Sequence, residues 1–248
     1  MRYAKVLKIG KLAVLAAMLC GYSRVACSET VDNPCAGPNA MLTIVNRPTN
    51  ADSACPVPSK HFVLEAGCQY QHQTLSSGDQ QNYPQADLRF GLPADTEFSI
   101  VMPNYIHQSA HPSSGTTTAI LSLKHQFFYT QRWIVTAESL ATTPHGSAAF
   151  GSKGWGGTLN GIVDYTVNTQ WALSFMLGAT TQTGPSQQNN GKRFYSFNPD
   201  AILTFAPIDK LNVFGEIYGQ TKTAANQSNG YNFNTGLIVR FAFSDLSK

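Results

Sequence analysis

The chain has 248 residues, of which 42% are hydrophobic and only 12% are charged. An ordinary soluble domain has about twice that charged fraction; here Gln, Asn, Ser, Thr and Gly fill the polar positions. No apolar run after the N-terminus approaches the roughly 20 residues that a membrane-spanning helix needs, which excludes a helical membrane protein. The balance is typical of a β-rich protein with polar loops, or of a β-barrel that contacts lipid on one face only.

Residues 1–27 predict a secretory signal peptide, because a basic start precedes a short apolar run from Leu12 to Leu19. A buried helix is the alternative. The whole chain has a net charge of +3, but residues 1–27 contain five of its 17 basic residues and none of its 14 acidic ones. The remaining chain has 12 basic and 14 acidic residues, a net charge of −2, which does not support nucleic-acid binding.

Residues 28–60 are rich in Pro and Asn and predict an irregular segment that either hangs in the periplasm or fills the lumen of a barrel. Cys35 and Cys55 predict a disulfide within it, because the bacterial periplasm is oxidising; two unpaired thiols are the alternative. Cys68 follows in the first strand pattern, where we expect it to be a small apolar filler.

From residue 61 onward, apolar and polar residues alternate with a period of two. Asp87 and Arg89, for example, alternate with Leu88 and Phe90, the pattern of a strand with two different faces. About ten such strands are predicted over residues 61–248, with twelve as the alternative.

The predicted connections alternate in length. Short turns are predicted at 93–95, 130–131, 167–169 and 207–209, and long polar loops at 74–83, 108–117, 142–155, 181–193 and 221–230. An even strand number with short turns at one end and long loops at the other favours an all-β, transmembrane, antiparallel up-and-down β-barrel of the Gram-negative outer membrane. A β-sandwich is the rival fold, but it gives no reason for this segregation of loop lengths.

Aromatic residues gather near both ends of the predicted strands. Near the short turns they are Tyr129, Trp133, Tyr165, Trp171 and Phe205, and near the long loops Tyr105, Tyr195 and Tyr231. Two such rows are typical of the aromatic girdles that face lipid headgroups, and scattered core aromatics are the alternative.

Ionisable residues fall in phase on the other strand face and are the predicted lumen-lining set. They are Glu65, Asp87, Arg89, Glu97, Lys124, Glu138, Asp164, Asp200, Glu216 and Arg240. Three interpretations are open: a structural salt-bridge network in a narrow interior, a selectivity lining for a small solute, and acid–base catalysis. His125 and Phe214 do not fit this pattern, because His125 is in phase with the lipid face and Phe214 with the lumen. Pro103 and Pro199 are expected at bulges or strand ends.

Catalytic and cofactor motifs are not found. His107 and His111 have the spacing of a metal pair on a helix, but their loop context predicts solvated side chains. No G-x-S-x-G motif occurs, and residues 184–193 (GPSQQNNGKR) do not have the spacing of a phosphate-binding loop. We therefore expect no catalytic residue, no metal and no cofactor.

Two stretches resemble hairpins of a known family. They are RFGLPADTEFSIVMP (89–103), through Arg89, Gly91, Leu92, Pro93 and Glu97, and FAPIDKLNVFGEIYGQ (205–220), through Phe214, Glu216, Tyr218 and Gly219. They resemble outer-membrane β-barrel proteins of the meta-pathway phenol-degradation-like transporter family, loosely over residues 61–243. Family members are commonly longer near the C-terminus. The resemblance implies uptake of small aromatic molecules.

The sequence as a whole therefore predicts an exported, lipid-embedded outer-membrane channel or transporter for a small-molecule solute. A non-transporting barrel that binds partners through its surface loops is the second candidate, and a barrel enzyme that modifies lipids is the third.

Overall fold

The structure is a computed structural model, and it describes residues 33–36, 45–73, 78–187 and 189–240. The predicted signal peptide, residues 1–27, lies outside the described residues. The described chain contains twelve strands and two short 3₁₀ turns, at Pro34–Ala36 and Asn189–Gly191. The strands are β1 (Phe62–Gln73), β2 (Gly78–Leu92), β3 (Thr96–Val101), β4 (Tyr105–Gln108), β5 (Ser114–Thr116), β6 (Ile120–Tyr129), β7 (Trp133–Thr142), β8 (Gly156–Thr166), β9 (Trp171–Thr183), β10 (Arg193–Ile208), β11 (Leu211–Gln220) and β12 (Gly230–Val239).

The strands form one antiparallel sheet in up-and-down order, which confirms the predicted all-β fold class. Ten of them, β1, β2, β3 and β6 to β12, follow one another as neighbours in the sheet. The short strands β4 and β5 extend the sheet beside the first half of β2. Among the described residues, β1 and β12 are not paired with each other. None of the described helical turns is long and apolar enough to cross a membrane.

The sheet is curled. One short segment forms hydrogen bonds with strands near both ends of the sheet, which a flat sheet would not allow. The backbone N–H of Asn46 donates to Glu65 on β1, and that of Asn50 donates to Glu216 on β11. In a flat sheet the eight steps from β1 to β11 would separate these strands by roughly 38 Å. Four residues of extended chain span at most about 14 Å. The sheet must therefore wrap around this segment, residues 45–57, which we call the inner segment.

Alternating residues of the wall strands have opposite environments. On β6, Ser122, Lys124 and Gln126 are buried, while Leu123 and Phe127 are about half exposed, at 49% and 53%. The pleat of a strand sends successive side chains to opposite faces, so the polar set points toward the inner segment and the apolar set points outward. The period of two in the sequence predicts these two faces.

Three predicted connections differ from the structure. Residues 78–83, predicted as loop, form the start of β2, since their backbone pairs with β1 and β4 although their polar sequence has no apolar alternation. Strand β5 and the end of β4 lie within the predicted loop 108–117. Strand β10 continues to Ile208, which shortens the predicted turn at 207–209.

The remaining expectations concern Cys68 and two prolines. Cys68 lies within β1 and is exposed, at an irregularity in the β1–β2 register between Gly67 and Gln69. Pro103 does lie in the break between β3 and β4, but Pro199 is paired opposite Leu177 within β10. Pro199 is therefore neither at a strand end nor at a bulge.

The chain passes from the inner segment into β1 beside Gly91. Lys60 N donates to Gly91 O at 3.1 Å, and Gly91 N donates to His61 O at 2.9 Å. A Cβ at position 91 would overlap the carbonyl oxygen of Pro58 and would lie 2.6 Å from that of Val57. This close backbone approach requires glycine.

We expect Gly91→Ala to lower the free energy of unfolding by about 1–3 kcal/mol, because backbone must move to accommodate the methyl group. Gly67→Ala is the matched control, since the nearest heavy atom to its Cβ would be 4.0 Å away. The measurement is urea unfolding of each variant in detergent micelles. Equal losses for the two variants would show that the approach at Gly91 is not tight.

Candidate functional site

Nine of the ten ionisable residues predicted to line the lumen lie in the inward phase of their strands, and Arg240 continues the inward phase of β12 one residue beyond its end. Eight are buried, with at most 7% of the residue exposed, and Asp164 and Arg240 are half-buried. The eight are Glu65, Asp87, Arg89, Glu97, Lys124, Glu138, Asp200 and Glu216. Charged side chains are rarely buried unless they are paired, so their partners decide what this interior can do.

Arg89 on β2 lies between glutamates of both neighbouring strands. Its Nε and Nη2 donate to the two carboxylate oxygens of Glu97 on β3 at 2.7 and 2.8 Å, and its Nη1 donates to Glu65 Oε1 on β1 at 2.6 Å. The register places Arg89 opposite Val63 and Ser99, so each glutamate is a diagonal neighbour. The planar guanidinium fits such paired acceptors well.

The same two glutamates also hold the ends of the inner segment. Glu65 accepts the backbone N–H groups of Asn46 and Arg47, each at 3.1 Å at its nearest oxygen. Glu97 Oε2 accepts the N–H of Val57 at 2.7 Å. A single cation and three backbone donors thus share two buried carboxylates.

On the opposite side of the interior, Glu216 and Asp200 hold the middle of the inner segment. Glu216 Oε1 accepts the N–H groups of Asn50 and Ala51 at 2.7 and 3.0 Å, and its Oε2 accepts the Asn234 amide at 3.1 Å. Asp200 Oδ2 accepts the Asn50 side-chain amide at 2.9 Å. No cation takes part in these described contacts, so backbone and amide N–H groups compensate the charge of these two carboxylates.

Lys124 and Glu138 form a third group around Asp52. Lys124 Nζ lies 3.9 Å from Glu138 Oε1 and donates to Asn46 Oδ1 at 3.4 Å. Glu138 also accepts from Ser122 Oγ at 2.7 Å and from the Asp52 carboxyl. Burial and the nearby Glu138 carboxylate raise the pKa of Asp52 well above its usual range, so protonated Asp52 is the donor.

Apolar contacts and a disulfide also hold the inner segment in place. Cys35 and Cys55 form the disulfide, and Ala54 and Cys55 are fully buried. Thr136 Oγ1 donates to the carbonyl of Ala54 at 2.5 Å. Inward-pointing apolar residues of β7 to β11 form one cluster with Ala51, Ala54 and the cystine: Ile134, Ile162, Met176, Ile202 and Phe214.

Sequence reasoning missed this apolar cluster, because it assigned the inward phase to polar residues. The one signal was Phe214, which fell in phase with the lumen and is 3% exposed. The structure thus explains Phe214 as a packing residue beneath the inner segment.

A polar cavity of about 470 Å³ lies on the long-loop side of the inner segment; we call it the vestibule. Asn50 and Asp52 of the inner segment border it, and Thr223 of the loop at 221–229 borders it at the loop end. Between them, its walls are the inward faces of strands β6 to β12. The vestibule therefore lies between the charged zone and the long loops.

The outward face of the sheet is apolar and exposed. Phe62, Phe197, Ile217 and Phe233 are 60–70% exposed, and most other large outward residues are more than a third exposed. Monomeric soluble proteins rarely present such contiguous apolar surface. This inversion of the usual burial, with charge inside and apolar groups outside, extends around the wall strands.

The predicted aromatic rows occupy the outer face at both ends, with one exception. Near the short turns, Trp133 lies 4.4 Å from Tyr165 and Trp171 lies 4.6 Å from Phe205 between ring centroids. Near the long loops, Tyr105, Tyr195 and Tyr231 are exposed, as is Trp155, which the prediction omitted. Tyr129 instead packs against the interior cluster, because a register shift between Gln126 and Phe128 reverses its phase.

The histidines show no clustering. His125 is half-buried on the outward face, and its Nδ1 lies 2.9 Å from Thr96 Oγ1. His107 and His111 are both exposed. No group of three His, Cys, Asp or Glu side chains among the described residues is arranged to hold a metal ion.

Comparison with known proteins gives little sequence similarity. No family model and no curated protein matches the chain, so the resemblance to the phenol-degradation-like transporters stays a prediction. Among solved structures, that of the NanC porin matches with 9% sequence identity and a TM-score of 0.44, over 74% of this chain and 95% of the porin chain.

Glu216→Leu should destabilise the fold by at least about 3 kcal/mol, because it leaves two backbone donors and an amide without an acceptor. Ile217→Leu, on the adjacent outward residue that is 62% exposed, should cost less than about 1.5 kcal/mol. Both are measured by urea unfolding in micelles. Equal stability would contradict an inward, hydrogen-bonded Glu216.

The Asp52–Glu138 hydrogen bond predicts a dependence of stability on pH. The folded pKa of Asp52 is raised, so the wild type loses stability as pH rises from about 4 through the raised value. Asp52→Asn donates an N–H to Glu138 at every pH and should lack this loss, whose slope is at most about 1.4 kcal/mol per pH unit. The measurement is the urea midpoint across that interval, with Asp209→Asn in an exposed turn as control; parallel curves for wild type and Asp52→Asn would refute the shared proton.

Proposed function

We propose that this protein is an outer-membrane channel for small molecules and that residues 45–57 close its lumen in the state described. One observation carries the proposal: buried charges face the interior while large apolar side chains cover the outside. Water cannot stabilise such an outer face, whereas the hydrocarbon of a bilayer can. The predicted signal peptide fits export to that membrane.

The exterior supports insertion in a defined position. Paired aromatic rings lie near the short turns, and exposed tyrosines lie near the long loops. Amphipathic rings favour the headgroup level of a bilayer, and Leu159, Leu177 and Leu237, all about 60% exposed, lie between the two rows. By the convention of outer-membrane barrels, the short turns then face the periplasm and the long loops the exterior.

The interior supports a pore that favours cations once it opens. The ten inward ionisable residues comprise seven carboxyls and three cations. The inner segment contains Arg47 and the protonated Asp52 and so adds one positive charge; it compensates the wall carboxyls mainly through its backbone N–H groups. When it leaves, the wall keeps an excess of four acidic groups, a lining that attracts cations.

The disulfide provides a test of closure. Cys35 and Cys55 are 20 positions apart, and a cross-link of that size restricts a released chain by about 3 kcal/mol in the loop-entropy description. We expect the double variant Cys35→Ser/Cys55→Ser to raise the open probability of single molecules in planar bilayers by up to about a hundredfold. The open state should prefer potassium to chloride by reversal potential.

Cys68→Ser is the matched control, since Cys68 is exposed and unpaired, and it should leave the open probability unchanged. Each protein is produced as the full chain with its predicted signal peptide, recovered from outer membranes, and checked for faster gel migration before boiling. A soluble protein without this mobility shift would disprove the barrel proposal. A membrane protein whose double variant stays closed, or whose open state prefers chloride, would disprove the role of the inner segment.

A further inference from the structure

We propose that the vestibule is a binding site for a neutral, polyhydroxylated solute of the size of a mono- or disaccharide. This inference deepens the proposed channel function and rests on it. The cavity of about 470 Å³ is within the range of small-molecule sites. It lies where a solute that enters from the long-loop side would meet the inner segment.

The lining has the chemistry of a neutral polar ligand. Among the described residues, no Lys or Arg borders the vestibule, and the carboxyl that does, Asp52, lies at the floor beside Glu138. Most of the remaining lining side chains are amides and hydroxyls. An anionic solute would find no cation to pair with, whereas hydroxyl groups both donate to and accept from amide side chains.

Several of these lining groups have hydrogen-bonding capacity to spare. The side chains of Thr142, Gln182, Tyr218, Gln220 and Asn232 make no hydrogen bond to any other described residue. A site built to hydrogen-bond hydroxyl groups discriminates strongly against ligands that lack them, because its polar groups would then be left unpaired. These side chains, which have hydrogen-bonding groups to spare, therefore favour a ligand with many hydroxyl groups.

Other lining groups are held in fixed positions. Thr158 Oγ1 lies 2.9 Å from Thr180 Oγ1, which accepts the Asn198 amide at 2.7 Å, and Ser196 Oγ donates to Asn198 Oδ1 at 2.9 Å. This chain of contacts crosses three strands. Side chains fixed before the ligand arrives lower the entropy cost of binding.

Gly178 creates the gap between two of these amides. It pairs with Asn160 on β8 and with Asn198 on β10, and it is in the inward phase. A Cβ there would lie 2.6 Å from Asn160 Oδ1 and 3.3 Å from Asn198 Nδ2. Asn160 Nδ2 donates to Glu138 at 3.3 Å, which leaves its Oδ1, beside Gly178, as an acceptor on a residue that lines the vestibule.

An aromatic solute, as the family resemblance implies, fits this lining poorly. In the part of the lining that the structure describes, Tyr218 is the one aromatic side chain, and Ile120, Leu140 and Met176 are the large apolar ones. A phenol has one hydroxyl and would leave most of the amides unpaired.

The test is isothermal titration calorimetry on the folded full barrel in detergent, with sucrose, glucuronate and phenol as probes. We expect sucrose to bind and the other two to bind at least about tenfold more weakly. Gly178→Ala should weaken sucrose binding by about tenfold, since it displaces both amides. Gly161→Ala is the matched control, because a Cβ there would meet nothing within 4 Å.

Gln182→Ala is the second variant, and it should also weaken sucrose binding without disturbing the wall, since the Gln182 side chain has no hydrogen-bond partner among the described residues. Absent sucrose binding, tighter glucuronate or phenol binding, or unchanged affinity in both variants would overturn the inference. Ion conductance of the Cys35→Ser/Cys55→Ser channel and its gel mobility do not depend on sugar binding. These two measurements therefore test the channel proposal independently of the sugar-binding proposal.

Discussion

The interior of this sheet contains more acid than base, and that imbalance determines what must lie inside it. Seven carboxyls and three cations point inward from the wall. A buried carboxylate is strongly unfavourable unless hydrogen bonds or cations compensate it. Arg89 bridges Glu65 and Glu97, but Asp200 and Glu216 have backbone and amide donors instead. The inner segment is therefore part of the electrostatic balance of the wall as well as a filling of its lumen.

This requirement separates the interior into zones. Where the inner segment lies, the wall presents carboxyls to receive N–H groups and an apolar cluster to pack against Ala54 and the cystine. On the long-loop side of Asn50 and Asp52, the wall changes to amides and hydroxyls, and the vestibule remains open. Water can satisfy the hydrogen bonds of a neutral lining, whereas the buried carboxyls need the donors of the inner segment, so only the charged part of the interior requires that segment.

Sequence periodicity predicted the two faces of the wall, because a strand reverses side-chain direction at each residue. The inward phase of residues such as Arg89 and Glu216 followed directly from it. The docking of the inner segment did not, since its donors are backbone N–H groups, which every non-proline residue has and no sequence motif marks. Tyr129 was misplaced for a related reason: the register shift beside it is set by pairing with β7, and periodicity assumes an unbroken strand. Pairing likewise extends β2 through the polar residues 78–83.

The double role of the carboxyls also constrains how the lumen can open. If residues 45–57 leave as a unit, Glu65, Glu97 and Glu216 lose backbone donors together, because one continuous stretch of chain supplies all of them. The excess of negative charge on the wall is then left without these donors, and protons, entering cations or water must compensate it. In the proposed channel, release of the segment and entry of cations would therefore be thermodynamically linked: whatever stabilises cations in the lumen would favour the open state, and whatever neutralises the carboxyls in another way would weaken the binding of the segment to the wall.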